Sequence, residues 1–238
     1  MCGIAGVTFN MESNISNDLG TEVFRNLLAE NTSRGKDSTG ICYLEKNHYQ
    51  VLRGFLPGVC AEKMVITEKE TTGLIGHTRH ATVGSKTEYD NVHPFSTEKY
   101  IGVHNGTIFN YKELKEKFEI ETTGECDSEV VYRILDKFGM KGLEDVEGTY
   151  ALVFVEKENP SVINIFTNGS KPMQFMYIED VFTSFGSIAK STYKFWKDFC
   201  DNTDIKHIIY DIKPCVLYKL EDGIVKSRDD FSKTIKLM

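Results

Sequence analysis

The sequence predicts an α+β protein with two antiparallel β-sheets stacked face to face and helices outside them, a four-layer αββα sandwich. Three observations lead to this fold class. Strand-like segments recur at short spacing, which is typical of antiparallel sheets. Runs such as YALVFV are apolar on both alternating faces, so the strands that they form are covered on both sides. A few longer segments have the period of an amphipathic helix and provide the outer layers.

The first half of the chain begins with a buried strand and an amphipathic helix. Residues Gly3 to Phe9 are mostly small or apolar, as in a buried strand. Residues Asp18 to Asn31 have helical periodicity, with apolar side chains on one face, namely Leu19, Val23, Phe24, Leu27 and Leu28. Strand-like segments follow at Gly40 to Glu45, Tyr49 to Gly54, Gly73 to His80 and Lys99 to Asn105.

The second half begins with two helices and then returns to strands. Helical periodicity covers Tyr111 to Phe118 and Ser128 to Phe138, and Asp127 directly before the second helix is a good N-cap residue. The later strands are predicted at Thr149 to Glu156, Val162 to Thr167, Gln174 to Tyr177, Val181 to Ser184, His207 to Tyr210 and Cys215 to Leu220. No shift in composition marks a linker, so we expect one domain over residues 1–238.

Composition and charge exclude several classes of protein. The net charge is -7 and the basic residues are scattered, which argues against a nucleic-acid or membrane-surface partner. The sequence contains neither a signal peptide nor an apolar run of bilayer length. The six cysteines are widely spaced without a C-x-x-C pair, so neither a zinc ribbon nor a disulfide framework is indicated. We therefore expect a soluble, cytoplasmic protein whose cysteines other than Cys2 serve as small packing residues.

The opening MCGIAG places a thiol directly behind the initiator methionine. Methionine aminopeptidases remove Met1 before a small residue, which would leave a thiol and a free α-amine on Cys2. An α-amine has an ordinary pKa of about 7.7 to 8.0, so it can accept the thiol proton near neutral pH. One residue would then supply nucleophile and base. From its position alone, however, Cys2 is simply a small buried residue of the first strand.

Six further motifs change the weight of these two interpretations. They are RGKDSTG at 34–40, GHTRHATVG at 76–84, NVHPF at 91–95, VHNGTIFNYKEL at 103–114, CDSEVV at 126–131 and EGTYALVFV at 147–155. Together with MCGIAG they resemble the class II glutamine amidotransferase domain, the N-terminal-nucleophile glutaminase of glucosamine-6-phosphate synthase and amidophosphoribosyltransferase. NGSKPM and FGSIAKS resemble its closing strands and turn. The resemblance implies the N-terminal nucleophile hydrolase fold and hydrolysis of the glutamine amide through a Cys2 thioester.

The resemblance also assigns the oxyanion donors. It implies that the Asn105 side-chain amide and the Gly106 backbone N–H stabilise the tetrahedral oxyanion formed when Cys2 attacks. Without the resemblance, an Asn-Gly pair is a common tight turn, and both interpretations can hold together.

Substrate contacts follow from the resemblance in the same way. It implies that Arg79 receives the α-carboxylate of glutamine, a task suited to a planar guanidinium, and that Thr82 adds a hydroxyl contact. Asp127 is implied as the acceptor for the α-ammonium group. An ordinary ion pair for Arg79 and the helix N-cap for Asp127 are the alternatives. Arg34 and Asp37 are implied to order the loop beside the nucleophile.

Two positions depart from the family pattern. His80 stands where the family usually has Trp or Tyr, and Val83 replaces a frequent histidine. We therefore expect a weaker aromatic lid over the glutamine pocket. The polar, glycine-containing segment from His80 to Asn91 is expected to be a mobile pocket loop.

Four histidines offer a metal site as a competing interpretation of the same motifs. His77, His80, His93 and His104 could suggest a metal site. His77 and His80 lie three residues apart on a predicted strand, which points them to opposite faces, and no H-E-x-x-H pattern is present. We expect core or loop histidines, without a metal or other cofactor.

The sequence leaves the use of the ammonia open between three hypotheses. The first is a glutaminase subunit that feeds ammonia to a separately encoded synthase, with glutamine and that synthase as partners. The second is a free amidohydrolase acting on a γ-glutamyl compound. The third is a regulatory module that binds glutamine without turnover, which the combination of Cys2, Arg79, Asn105, Gly106 and Asp127 disfavours, because binding alone needs no nucleophile.

Overall fold

Two antiparallel sheets form the centre of the protein in the computed structural model, which describes residues 1–187 and 189–235. The first sheet has seven strands, in the spatial order β11 (His207–Asp211), β9 (Gln174–Ile178), β10 (Phe182–Gly186), β1 (Gly3–Phe9), β4 (Thr71–Arg79), β2 (Ser38–Glu45) and β3 (Tyr49–Gly54). The second has six, in the order β13 (Ile224–Asp230), β12 (Val216–Glu221), β8 (Asn159–Thr167), β7 (Gly148–Glu156), β6 (Tyr100–Ile108) and β5 (Phe95–Ser96).

Helices cover the outer faces of both sheets. They are α1 (Ser16–Glu30), α2 (Gly58–Ala61), α3 (Tyr111–Lys117), α4 (Asp127–Phe138) and α5 (Lys190–Asn202). Short 3-10 turns lie at Asn31–Ser33, Glu62–Met64, Tyr89–Asn91 and Gly139–Asp145. None of the helices in the described part of the chain is long and apolar enough to cross a membrane.

Three buried clusters correspond to the three interfaces between four layers. Val7 and Phe9 of β1 pack against Phe24 of α1 and Trp196 of α5 on the outer face of the first sheet. Tyr132 and Leu135 of α4 pack against Leu152 and Phe154 of β7 on the outer face of the second. A third cluster lies between the sheets and includes Ile4, Ile75, Val103, Val153 and Phe175. The predicted αββα sandwich of two antiparallel sheets is therefore confirmed.

Two long elements were not predicted, and both depend on distant parts of the chain. Helix α5 has no local side-chain cap, and the carboxylate of Glu30 in α1 instead accepts the backbone N–H groups of Ser191 and Thr192 at 3.0 and 3.1 Å. Strand β13 is an edge strand with a largely exposed IVKSRDD sequence, so it lacks the alternation by which strands are recognised.

Two local expectations were wrong. The N-cap of α4 is Cys126, because Asp127 already belongs to the helix and its carboxylate accepts the Ile108 N–H at 2.7 Å. Among the cysteines expected to be packing residues, Cys60 is exposed, whereas Cys42, Cys126, Cys200 and Cys215 are buried. Cys60 lies in α2, a single helical turn on the surface, whose local sequence gives little sign of which side is covered.

Candidate active site

Cys2 lies at the start of the central strand of the first sheet. Strand β1 pairs antiparallel with β4, and the register of Gly3 opposite Thr78 brings Cys2 to the end of β4. The backbone N–H of His80 donates to the Cys2 Sγ at 3.4 Å, and the thiol lies 3.4 Å from the His80 carbonyl. The thiol is therefore fixed against the first residue of the 80–91 loop.

The environment of Cys2 keeps its thiol protonated. Burial raises the pKa of the Cys2 thiol, and the His80 N–H, the chain's α-ammonium group and Arg79 only partly counteract this effect. Asp127 adds to the increase through its negative charge. A thiol of this kind needs a base before it can act as a nucleophile.

Arg34 and Asp37 hold the backbone on either side of Cys2. The Arg34 Nε donates to the Cys2 carbonyl at 2.5 Å, and the Asp37 Oδ2 accepts the Ala81 N–H at 2.8 Å. The first contact holds the strand end, and the second holds the loop that follows β4. These are the contacts that the expected ordering role requires.

Asn105 and Gly106 lie within β6, opposite Ala151 and Tyr150 of β7, so the tight-turn interpretation is wrong. The Asn105 side chain is 1% exposed and donates through Nδ2 to the Ser187 Oγ at 2.7 Å. Its Oδ1 has no hydrogen-bond partner among the described residues. The buried amide is thus held in a fixed orientation by one hydroxyl group.

Gly106 has a backbone conformation that excludes other residues. Its φ is +147°, and a Cβ at this position would lie 1.7 Å from the Thr149 carbonyl oxygen. The sequence therefore needs glycine here for the strand to pass close to β7, whatever role its N–H plays.

A small cleft brings four of the six predicted site residues together. Its volume is about 50 Å³, and it is lined by Met1, Cys2, Arg34, Thr82, Asn105, Gly106, Thr107 and Lys171. Pockets that enclose small molecules are usually larger, from about 300 Å³. With Met1 at its rim, the cleft accommodates only part of a substrate such as an amino acid.

Arg79 is the most unusual charged group near the cleft. It is 2% exposed, and its guanidinium donates only to backbone carbonyls, those of Val83 at 3.0 Å, Gly84 at 3.5 Å and Ser85 at 3.2 Å. Among residues 1–187 and 189–235 it forms no ion pair with a carboxylate. The ion-pair alternative for Arg79 is therefore wrong. A buried cation without an anionic partner is costly to the stability of the protein.

Asp127 is 2% exposed and is held by contacts inside the protein. Its Oδ2 accepts the Ile108 N–H, which ties the start of α4 to the end of β6, and the Cys126 thiol lies 3.6 Å from Oδ1. Neither Asp127 nor Arg79 lines the cleft, although the charges of both act on the Cys2 thiol.

Three of the four histidines considered as metal ligands form a buried group. The rings of His77 and His93 stack at 3.9 Å, and the His77 Nε2 lies 3.1 Å from the His104 carbonyl oxygen. Burial lowers the pKa of His77 to about 3 and that of His93 well below its ordinary value. His80 lies apart, just beyond the end of β4, with its side chain 58% exposed. No cluster of three or more potential metal ligands occurs in the described ranges.

Two residues that contribute to the site were given no individual role from the sequence. Ser187 accepts the Asn105 amide and the Ile4 N–H at 3.1 Å, and Lys171 lines the cleft. Ser187 lies in FGSIAKS and Lys171 in NGSKPM, two motifs that the resemblance covered. The sequence of these motifs does not indicate that the two loops lie close to the Cys2 cleft.

Comparison with known proteins agrees with this arrangement. A family profile described as a glutamine amidotransferase domain matches residues 61–215, more than half of the chain. The chain belongs to this family. It is a class II glutamine amidotransferase domain, as the motifs predicted.

The relatives of this amidotransferase domain are longer enzymes. A glutamine–fructose-6-phosphate aminotransferase from Streptococcus pneumoniae R6 is 35% identical over 187 residues, which cover 71% of this chain and 29% of the relative. The enzyme of the same name from Sulfurisphaera tokodaii is 32% identical over 194 residues, covering 69% of this chain and 32% of its own length. The chain therefore matches about a third or less of these relatives.

Solved structures share the fold of the amidotransferase domain. The glutamine phosphoribosylpyrophosphate amidotransferase of B. subtilis, complexed with ADP and GMP, aligns with a TM-score of 0.71 and 19% identity over 98% of this chain and 50% of that chain. A glutamine aminotransferase class-II domain protein from Silicibacter pomeroyi aligns with a TM-score of 0.57 and 12% identity, over 97% of this chain and 100% of that chain.

Proposed function

We propose that this amidotransferase domain hydrolyses the side-chain amide of glutamine to glutamate and ammonia, with Cys2 as the nucleophile. The observation that carries the proposal is the buried guanidinium of Arg79, which forms no ion pair with any described carboxylate and precedes the residue that contacts the Cys2 thiol. A ligand that brings its own carboxylate would neutralise this charge, and an amino acid does so.

The other predicted residues have matching tasks in this proposal. Asp127 takes the α-ammonium group of glutamine, and the Thr82 hydroxyl at the edge of the cleft adds a contact to the carboxylate. The Asn105 amide and the Gly106 N–H stabilise the oxyanion, which is where negative charge develops in the transition state.

The reaction proceeds in two steps. The Cys2 sulfur forms a bond to the side-chain carbonyl carbon, and the carbon–nitrogen bond then breaks, with the thiol proton transferred to the leaving nitrogen so that ammonia departs. Water next attacks the resulting thioester, the carbon–sulfur bond breaks, and glutamate and the thiol are restored. Two easier steps thereby replace direct hydrolysis of the amide.

Removal of Met1 supplies the base in this mechanism. Because burial raises the pKa of the Cys2 thiol, the proton has to be taken by a nearby group. The α-amine that becomes free on Cys2 is such a group, and its ordinary pKa of about 7.7 to 8.0 suits work at neutral pH. Removal of Met1, which is 66% exposed, also enlarges the cleft.

We further propose that a synthase carried by a separate subunit consumes the ammonia. One finding supports the use of the ammonia by a synthase: the relatives are named for transfer between glutamine and fructose-6-phosphate. Retention of a nucleophile together with oxyanion donors favours turnover over simple glutamine binding.

The amino terminus provides the test of this mechanism. Protein in which Met1 is retained, or is preceded by a tag, is expected to lose glutamine hydrolysis. The Cys2 nitrogen is then part of a peptide bond and cannot accept the thiol proton. Protein with the same tag at the C-terminus is the matched control and keeps its activity. Mass spectrometry establishes the state of the terminus, and glutamate release measures the rate. Full activity in protein verified to retain Met1 contradicts the mechanism.

A further inference from the structure

Lys171 is a cation in the Cys2 cleft for which the steps above have no role. It follows β8 and shares the cleft with Cys2, Asn105 and Gly106. Its ammonium group forms no ion pair with a carboxylate within the described part of the chain. Lys171 is half-buried and lines the cleft without an anionic partner among the described residues.

The loop that carries Lys171 is rigidly built. The Thr167 hydroxyl donates to the Lys171 carbonyl at 3.1 Å and accepts the Gly169 N–H at 3.1 Å. Asn168 is buried and bridges the same loop to β7, because its Nδ2 donates to the Gly148 carbonyl at 2.8 Å. The backbone of Lys171 is therefore held beside the cleft by the fold.

The charge of Lys171 acts on the buried His104. Burial lowers the pKa of His104, and among the smaller contributions Lys171 lowers it further while Asp127 opposes the change. His104 lies directly before Asn105 in β6. The positive charge of Lys171 thus reaches the residue that precedes Asn105.

We infer that Lys171 is a positioning residue for proton transfer, whose charge keeps the free α-amine of Cys2 in its neutral, proton-accepting form. This inference rests on the proposed function, because the amine exists only after Met1 has been removed. Two positive charges that face the same cleft repel, so a protonated α-amine on Cys2 is disfavoured by Lys171. The base then works at a lower pH than an isolated α-amine.

Two other cations near Cys2 act in the same direction as Lys171. Arg34 lies in the same cleft and Arg79 at the end of β4, and both donate to neutral carbonyls, which do not cancel a positive charge. Asp127 has the opposite sign and favours the protonated amine. The cations therefore exceed the anions around the Cys2 terminus, and Lys171 is the one among these cations without a hydrogen-bond acceptor in the described residues.

His80 and Asp37 complete the charged surroundings of the terminus. The His80 Nδ1 lies 4.0 Å from the Asp37 Oδ2, so a protonated His80 pairs with that carboxylate.

The pH dependence of kcat/KM for glutamine tests this role. In Lys171→Met, the pKa of the α-amine rises, so the limb of the profile that increases with pH is expected to move upward by about one pH unit. The value of kcat/KM then falls about tenfold near pH 6.5 and changes little near pH 9. Lys171→Arg keeps the charge and restores the original profile, and Lys141→Met, at an exposed lysine elsewhere, leaves it unchanged.

The outcomes separate this inference from the proposed function. A Lys171→Met enzyme whose profile keeps its shape, or falls equally at every pH, overturns the role of Lys171 while glutamine hydrolysis stands. Absence of hydrolysis in the parent protein with Met1 removed contradicts the proposed function itself. Circular dichroism and a thermal melt establish that each variant folds before its profile is interpreted.

Discussion

At the residue scale, the site consists of polar groups that are buried before any substrate binds. Asn105 keeps one amide oxygen without a partner among the described residues, and Arg79 forms no ion pair with any of their carboxylates. Such groups lower the stability of a protein unless something compensates for them. The proposed function explains the buried charge of Arg79, because glutamine supplies a carboxylate to it. For Asn105 it uses the Nδ2 group, whose second N–H is directed to the oxyanion.

Substitutions at these two positions are expected to separate chemistry from binding. Asn105→Ala removes an oxyanion donor and lowers kcat by about a hundred- to a thousandfold, with a small effect on KM. Arg79→Ala mainly raises KM, because the charge of the α-carboxylate does not change during the reaction. Steady-state glutaminase kinetics measure both constants.

Asn26→Ala, at a surface asparagine of α1, is the control for the Asn105 substitution. Normal turnover of glutamine by a folded Asn105→Ala protein rejects the assignment of the oxyanion donor. An unchanged KM in Arg79→Ala rejects the carboxylate site.

At the element scale, the facing strands of the two sheets bury histidines that have to remain neutral. His77 lies in β4 and His104 in β6, and His93 stacks on His77 while both of its ring nitrogens lack partners among the described residues. Burial lowers the pKa of each of these histidines in the folded protein. Protonation is therefore easier in the unfolded chain, whose histidines have an ordinary pKa of about 6.5.

This arrangement predicts loss of stability in mild acid. Because the folded pKa lies below the unfolded one, the stabilisation is complete above about pH 6.5 and decreases as the pH falls towards the folded pKa. For one buried histidine that stays neutral, the free energy of unfolding falls by about 2 kcal/mol from pH 7 to pH 5. Urea unfolding at several pH values measures the loss.

His93→Phe is the informative variant, because phenylalanine keeps a similar ring and removes two buried nitrogens without partners. Its free energy of unfolding is expected to fall by about 2 kcal/mol less than that of the parent between pH 7 and pH 5. The same substitution at the exposed His48 leaves the pH dependence unaltered. Equal pH dependence in His93→Phe and the parent would show that His93 is not held neutral.

At the scale of the whole molecule, the pocket loop of residues 80–91 connects the active site to the surface. Its backbone contacts the Cys2 thiol at His80, while Lys86, Thr87 and Tyr89 are exposed. The Arg79 guanidinium and Asn91 both donate to the Ser85 carbonyl, at 3.2 and 3.1 Å. Loops in such positions can couple the binding of a partner to the geometry of a site.

Partner-dependent activity is the prediction at this scale. A glutaminase that releases ammonia into water wastes glutamine, so we expect slow hydrolysis by the purified chain and stimulation by its synthase with acceptor substrate. The synthase stimulates only to the extent that it binds the ordered loop more tightly than the open one. Glutaminase assays with and without a protein captured from the native host measure the effect. Maximal activity of the isolated chain, unaltered by any co-purifying protein, favours a free amidohydrolase instead.

Elements with a strong local signal were predicted well. Strands Gly3–Phe9 and Tyr49–Gly54 have the predicted bounds, and α4 begins one residue before its predicted start. Elements defined by distant contacts were not. Helix α5 is capped by Glu30 of α1, and β13 is recognisable only by its pairing with β12.

The sequence by itself determined the fold class and the family, because hydrophobic period and motif order are properties of the chain alone. The predicted roles of Cys2, Arg79, Thr82, Asn105, Gly106 and Asp127 also come from the sequence and remain predictions. Tertiary structure decided which groups surround the cleft, since Lys171 lines it and Ser187 holds Asn105 from loops far along the chain. It also decided that Asp127 holds Ile108 instead of capping its helix. Such contacts depend on sheet register and stacking, which no local pattern encodes.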